Sequence, residues 1–81
     1  MTYSEQMLDQ LEAGKLKDAQ NSFKLALIND DDDMLFSLAE ELYALGFLQQ
    51  ARTIYLKLLD RYPDEDELKT NLATIAIDEG H

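Results

Sequence analysis

The chain has 81 residues, enough for one domain, and 46% of them are apolar, which favours a folded protein over a disordered one. It has no cysteine, which excludes disulfides and thiolate chemistry, and no apolar run approaches the roughly 18–20 residues of a membrane span. The formal net charge of −10 argues against nucleic-acid binding, because phosphates need basic partners. The first residues lack the basic-then-apolar pattern of a secretory signal, so we expect a cytoplasmic protein that binds neither membranes nor nucleic acid.

Apolar residues recur at helical spacing in five stretches, and the alternation typical of strands is absent. The predicted helices cover about residues 3–12, 16–28, 32–45, 48–61 and 64–79. Thr2 and Glu5 have the spacing of a capping box at the first helix, and Asp64 repeats that pattern with Glu67 at the fifth. Connections of two to five residues would make neighbouring helices antiparallel.

The order of turn glycine, small residue and aromatic residue occurs twice along the chain. In the first copy Gly14 is followed by Leu16, Ala19, Phe23, Ala26 and Leu27; in the second, 32 residues later, Gly46 is followed by Leu48, Ala51, Tyr55, Leu58 and Leu59. Such repetition describes one supersecondary unit used twice, and units of this kind bury their apolar faces by stacking. The pattern therefore predicts a helical repeat array that presents a surface and performs no chemistry.

Residues 32–65 resemble one complete unit of the tetratricopeptide repeat (TPR) family, whose pattern is Trp-x-x-Leu-Gly-x-x-Tyr, then Ala-x-x-x-Phe, then Pro, over about 34 residues. The matching positions are Leu35, Leu38, Ala39 and Leu42, then Ala51 and Tyr55, then Pro63. The resemblance implies an all-α, right-handed α-α superhelix of antiparallel helix pairs, with about five helices in this chain. More loosely, the chain resembles the N-terminal part of longer cytoplasmic TPR proteins of low-GC Gram-positive bacteria.

The repeat spacing predicts a single TPR-like domain over residues 1–81 with three parts. Residues 1–31 form a degenerate first repeat, residues 32–65 the full second repeat, and residues 66–81 the first helix of a third. Gly80 follows Gly46 by 34 residues, which predicts a third repeat that is truncated before its second helix. The alternative is that the fifth helix is a natural solvating cap, because much of its surface is polar.

In TPR proteins the first helix of each pair lines a concave groove that binds a protein or peptide, and the resemblance implies the same groove here. Its predicted lining comprises Asp33, Phe36, Ser37, Glu40, Tyr43 and Ala44 in the second repeat, Glu67, Thr70, Asn71, Thr74, Ile77 and Asp78 in the third, and Ser4, Glu5, Leu8, Leu11 and Glu12 in the first. Phe36 and Tyr43 beside Glu40 would anchor the partner. The alternative is that Phe36 and Tyr43 only widen the core stripe.

Charge alternates with the repeat. Residues 14–29 and 46–62 each carry a net charge of +2, and most of the acidic residues lie in the other stretches, which are net negative. The groove should therefore prefer a basic or amphipathic partner and repel the carboxylate tails that one TPR subclass clamps. The acidic residues at 30–33 and 64–67 also lie at predicted helix starts, where each carboxylate stabilises the helix dipole by roughly 0.3–1 kcal/mol.

The sequence offers no catalytic or metal-binding arrangement, so we predict a protein that is not an enzyme and has no cofactor. The single histidine is the last residue, His81, which leaves no Ser–His, Cys–His or two-histidine pattern. The ligand spacing of an EF-hand occurs at Asn29, Asp31, Asp33 and Glu40. Met34 stands where that loop needs glycine, so no calcium site is predicted.

The repeat array is compatible with two functions. The first is a non-catalytic scaffold that binds a protein or peptide in the acidic concave groove. The alternative is a structural or self-association segment of a longer helical solenoid with no ligand of its own. In that alternative the apolar side of residues 68–76 packs on a following helix or forms a homodimer.

Overall fold

A computed structural model describes residues 1–80, and His81 lies outside the described residues. The helices are α1 (Tyr3–Glu12), α2 (Leu16–Asn29), α3 (Asp32–Leu45), α4 (Leu48–Arg61) and α5 (Asp66–Asp78). Over residues 1–80 no strand occurs, so the predicted all-α class with five helices is confirmed. Their superhelical stacking stays a prediction, as does the third repeat, whose range of 66–81 ends on His81. No helix in the described part of the chain is both long and apolar enough to cross a membrane.

Gly14 and Gly46 end the first helix of each sequence repeat in the same way. Their φ angles of +76° and +89° lie in the left-handed region that glycine adopts without strain. After α1, Gly14 N–H donates to the Leu11 carbonyl at 3.1 Å, and Lys15 N–H donates to the Gln10 carbonyl at 2.8 Å. The same pair of bonds closes α3 around Gly46. These bonds satisfy carbonyls that a helix end leaves open, which explains why glycine recurs at this point.

The start of α1 is the predicted capping box. Thr2 Oγ1 accepts a hydrogen bond from Glu5 N–H at 3.1 Å, and Glu5 Oε1 accepts one from Thr2 N–H at 3.1 Å. The Thr2 hydroxyl also donates to Glu5 Oε1 at 3.0 Å. Hydrogen bonds from the Thr2 backbone and side chain lower the pKa of the Glu5 carboxyl below its ordinary value of 4.5. The cap therefore engages Glu5, which the sequence also places in the groove.

Replacing Thr2 by valine tests this cap. We expect the free energy of unfolding to fall by about 1 kcal/mol, because the substitution removes the N-cap acceptor. The pKa of Glu5 should rise, since one of its two kinds of hydrogen bond is lost. An NMR titration of the Glu5 carboxyl and urea unfolding followed by circular dichroism measure the two effects. An unchanged pKa would mean that the cap does not form in solution.

The predicted start of α5 is wrong, because the helix begins later than residue 64 and without the expected cap. Its N-cap is Glu65, whose side chain caps no backbone N–H, and Asp64 lies in the preceding turn. That turn contains Pro63 and is closed by a hydrogen bond from Glu65 N–H to the Tyr62 carbonyl at 3.1 Å. The turn holds Asp64 outside the helix, so the local capping pattern of Asp64 with Glu67 does not form.

The first of two compact units spans residues 1–38. In it α1 packs on α2, and the buried apolar side chains of these two helices are Met7, Ala19 and Ala26. Polar side chains also meet in this contact, where Ser22 Oγ donates to Gln10 Oε1 at 2.6 Å. Because Ser22 is buried, this bond satisfies a hydroxyl that would otherwise destabilise the unit.

The second unit begins at Ala39 and contains the rest of α3 together with α4 and α5. There α4 packs on α5. The buried core comprises Ala39, Leu42, Ala51, Ile54, Tyr55, Leu58, Leu68 and Ile75. Burying each large aliphatic side chain contributes about 1.5–3 kcal/mol, so this unit depends on a small number of such residues.

The repeated residues of α2 and α4 bury the same helix face. Ala19 and Ala51 are both fully buried, and the residues seven positions beyond each are buried as well. The aromatic positions differ, since Phe23 is half-buried whereas Tyr55 is buried. The sequence repeat is therefore also a repeat in burial, which supports its interpretation as one helical unit used twice.

Candidate functional site

A pocket in the second unit is lined by Glu40, Tyr43, Tyr55, Asn71 and Thr74, and its volume is about 190 Å³. We call it the polar pocket. Small-molecule sites typically measure about 300–1,000 Å³, so this one is small for a cofactor. Its size suits one side chain of a partner, or several waters at about 30 Å³ each.

Three helices of the second unit build the polar pocket. Glu40 and Tyr43 lie three residues apart on α3, and Asn71 and Thr74 have the same spacing on α5, so each pair shares a helix face. Tyr55 comes from α4 and is only 2% exposed, whereas Glu40 is exposed. The polar pocket thus combines a buried aromatic wall with a carboxylate that solvent and a ligand can reach.

Two hydroxyl protons in the polar pocket are already engaged. The Tyr43 hydroxyl donates to Asp78 Oδ2, which links α3 to the end of α5. Thr74 Oγ1 donates to the Thr70 carbonyl one turn earlier at 3.0 Å. A hydroxyl that has donated its proton still has lone pairs, so both oxygens can accept a hydrogen bond from a ligand.

The pKa values of both tyrosines in the polar pocket are raised, by a hydrogen bond to a carboxylate at Tyr43 and mainly by burial at Tyr55. The hydrogen bond to Asp78 is the main reason that the pKa of Tyr43 lies above its ordinary value of 10.0, and burial adds to the effect. Burial raises the pKa of Tyr55 to about 12, and the negative charges of Glu40 and Glu67 add to it. The carboxylates that contribute to the two shifts favour a positively charged ligand.

The raised pKa of Tyr55 predicts a loss of stability in alkali. The folded protein holds this proton more tightly than the unfolded chain, so the contribution is complete below pH 10 and is lost as pH rises through about 12. We therefore expect Tyr55→Phe to flatten the fall in stability between these two pH values. Urea unfolding of wild type and variant across this range measures the difference. Equal slopes for the two proteins would contradict the burial of this hydroxyl.

An ion pair joins α4 to the C-cap of α5. The Arg52 guanidinium contacts the Glu79 carboxylate, and its Nη1 also donates to Gln49 Oε1 at 3.2 Å. Arg52 is therefore neutralised by Glu79. Glu40 is not part of this ion pair and is exposed, so a ligand can reach its charge.

The polar pocket brings together four residues of the predicted groove, namely Glu40, Tyr43, Asn71 and Thr74. A fifth, Asp78, reaches it through the hydrogen bond from Tyr43. Tyr55 was missed, because its place in the repeat predicts a packing role between helices. The signal that could have found it is the phenol itself, since the matching position of the first repeat is Phe23. A buried tyrosine needs a polar neighbour, whereas phenylalanine does not.

The remaining predicted groove residues do not line the polar pocket. Thr70 and Ile77 are exposed on α5. Phe36 is half-buried and Ser37 is exposed, and both lie on the part of α3 that belongs to the first unit. Phe36 is therefore accessible in part, which leaves its predicted anchoring role open.

On α1 the predicted groove residues differ in accessibility. Leu8 is half-buried, and Glu12 is exposed at the helix end. Ser4 is buried, and both its N–H and its hydroxyl donate to Asp30 Oδ2, at 2.7 and 2.6 Å. Ser4 therefore holds the end of α2 and cannot contact a partner.

Part of the acidic charge has a structural role. Asp31 caps α3, since its Oδ1 accepts a hydrogen bond from Met34 N–H at 2.9 Å. Asp30 accepts the two bonds from Ser4. In the described part of the chain no group of three or more acidic or histidine side chains could hold a metal ion. Asp30 and Asp31 therefore stabilise helix ends, which is the structural role that the sequence suggested for part of the acidic charge.

Comparison of the chain with protein-family models, with curated proteins and with solved structures finds no match. The TPR resemblance therefore rests on the repeated residues and on the burial pattern of α2 and α4.

Proposed function

We propose that this chain is a non-catalytic scaffold of TPR type that binds a protein or peptide, and that the polar pocket is part of its binding groove. The observation that supports the proposal is the convergence of Glu40, Tyr43, Asn71 and Thr74, all of which the resemblance assigns to the groove. An exposed carboxylate above a buried aromatic wall suits a partner's side chain better than a free small molecule. Its cytoplasmic location stays a prediction.

The charge of the second unit supports a basic or amphipathic partner. Glu40 and Glu67 act on Tyr55, and Asp78 acts on Tyr43, so three carboxylates influence one small pocket. The charge of Arg52 is balanced by Glu79, with which it forms an ion pair. Opposite charge on a partner would speed association and select against acidic competitors.

Selection of peptides from a random displayed library tests the proposed function. We expect selected peptides to bind the wild type and to lose affinity at least about tenfold with Glu40→Lys. Glu41→Lys is the matched control, because Glu41 is exposed on the same helix but does not line the polar pocket. Failure to select any peptide, or equal losses with both variants, would count against the proposal.

The alternative is self-association through α5, and one observation favours it. Ala73 is exposed and Leu72 is half-buried, although the residues 34 positions earlier, Ala39 and Leu38, are buried. This face of α5 would be covered in a dimer or by a further helix. Light scattering over a range of concentrations, with Ala73→Lys as the disrupting variant, separates the two functions. A dimer that this variant dissociates would favour the alternative.

A further inference from the structure

Three of the five residues that line the polar pocket offer a ligand hydrogen-bond acceptors, because they carry no proton or have already donated it. The Glu40 carboxylate only accepts, and the hydroxyl protons of Tyr43 and Thr74 are directed to Asp78 and to the Thr70 carbonyl. The side-chain amide of Asn71 can both donate and accept. A ligand group that contacts Glu40, Tyr43 and Thr74 must therefore bring donors.

The accessible charge of the polar pocket is negative. Glu40 is exposed, and Arg52 of the neighbouring helix α4 pairs with Glu79. The carboxylates that contribute to the raised pKa values of the two tyrosines would also stabilise a cation in the polar pocket. The ligand group should therefore be positively charged as well as rich in donors.

The shape and hydration of the charged group distinguish arginine from lysine as the ligand of the polar pocket. The guanidinium group of arginine is planar, has five donors and no acceptor, and can stack on an aromatic ring such as that of the half-buried Tyr43. The ammonium group of lysine is a compact, strongly hydrated charge with three donors. An aromatic wall beside a carboxylate favours the weakly hydrated planar group.

We propose that the polar pocket of the second unit binds the guanidinium group of an arginine side chain, with Glu40 as its charged acceptor and the two tyrosine rings as its walls. The assignment rests on the proposed peptide-binding role, and it names the residue of the partner that this pocket recognises.

Small probes test the assignment without a known partner. We would titrate the protein at low ionic strength with N-acetyl-arginine amide, and separately with the citrulline and lysine analogues, and follow backbone amide signals by NMR. Citrulline has nearly the shape of arginine but no charge. We expect the arginine probe to bind at residues 40–43 and 71–74 at least about tenfold more tightly than the citrulline probe. Equal binding of citrulline or lysine would overturn the assignment.

Matched variants separate a specific contact from general charge attraction. Glu40→Gln should weaken the arginine probe about tenfold, whereas Glu41→Gln removes the same charge from the same helix and should change binding by less than about twofold. Equal losses in both variants would overturn the assignment. If selected peptides bind this pocket without arginine, the peptide-binding role stands and the assignment falls. If the arginine probe binds as expected but no peptide is selected, the pocket binds guanidinium, but the peptide-binding role falls and with it the claim about a partner's residue.

Discussion

Ile75→Lys is expected to unfold the second unit, whereas Ile77→Lys should leave the protein folded. Ile75 is 0% exposed on the face of α5 that is buried in the second unit, and Ile77, two residues later, is 72% exposed. An unpaired lysine at a buried position is expected to destabilise by about 4 kcal/mol or more. A chain of this size has a total stability of roughly 4–12 kcal/mol, so little would remain.

Because Ile75 and Ile77 are the same residue on the same helix, the two lysine variants differ mainly in the burial of the substituted position. Helicity by far-ultraviolet circular dichroism and the urea midpoint measure it, and Ile77→Lys should change stability by no more than about 0.5 kcal/mol. If Ile75→Lys stays as stable as the wild type, the buried face of α5 is misassigned. The result also bears on self-association, because a dimer lost with Ile75→Lys would report unfolding and not a broken interface.

The second large effect is expected at Leu42 on α3. Leu42 is 0% exposed in the core of the second unit, and Leu45 on the same helix is 57% exposed. Leu42→Ala should lower the free energy of unfolding by about 2–5 kcal/mol, because it removes buried methyl groups and leaves a cavity. Leu45→Ala, the matched control, should change it by no more than about 0.5 kcal/mol. Similar losses in the two variants, measured by urea unfolding, would contradict the assigned inward face of α3.

Helix positions were predictable because their signals are local. Gly14 and Gly46 mark turns that need positive φ, and Thr2 with Glu5 forms its cap within four residues. The start of α5 was not predictable from the same logic. There the turn that contains Pro63 competes with the capping pattern at Asp64, and the first residue of α5 depends on which of these two local structures is more stable.

The candidate site was predictable only in part, for a related reason. Helical spacing puts Glu40 with Tyr43 on one face and Asn71 with Thr74 on another, so those pairs follow from the sequence. The entry of Tyr55 into the polar pocket depends on how helices pack. The hydrogen bond from Tyr43 to Asp78 joins residues 35 positions apart, which no local pattern indicates.

The buried face of α5 shows how far the repeat can be extended. Alignment at 34 residues pairs Leu72 and Ala73 with Leu38 and Ala39, both of which are buried. On α5, however, Ala73 is exposed and Ile75 is buried. The buried residues of α5 are thus those on the face that packs against the rest of the second unit, and the sequence repeat alone does not determine which they are.

The most direct test of the binding role is an NMR map of a library-selected peptide on the isotope-labelled protein. We predict that the largest amide shifts at saturation fall at residues 40–43, 71–74 and 78, and that at the same peptide concentration Glu40→Lys reduces them strongly while Glu41→Lys does not. Shifts confined to α2, on which Lys17 and Lys24 are exposed, or no shifts at saturating peptide, would contradict the proposed binding role.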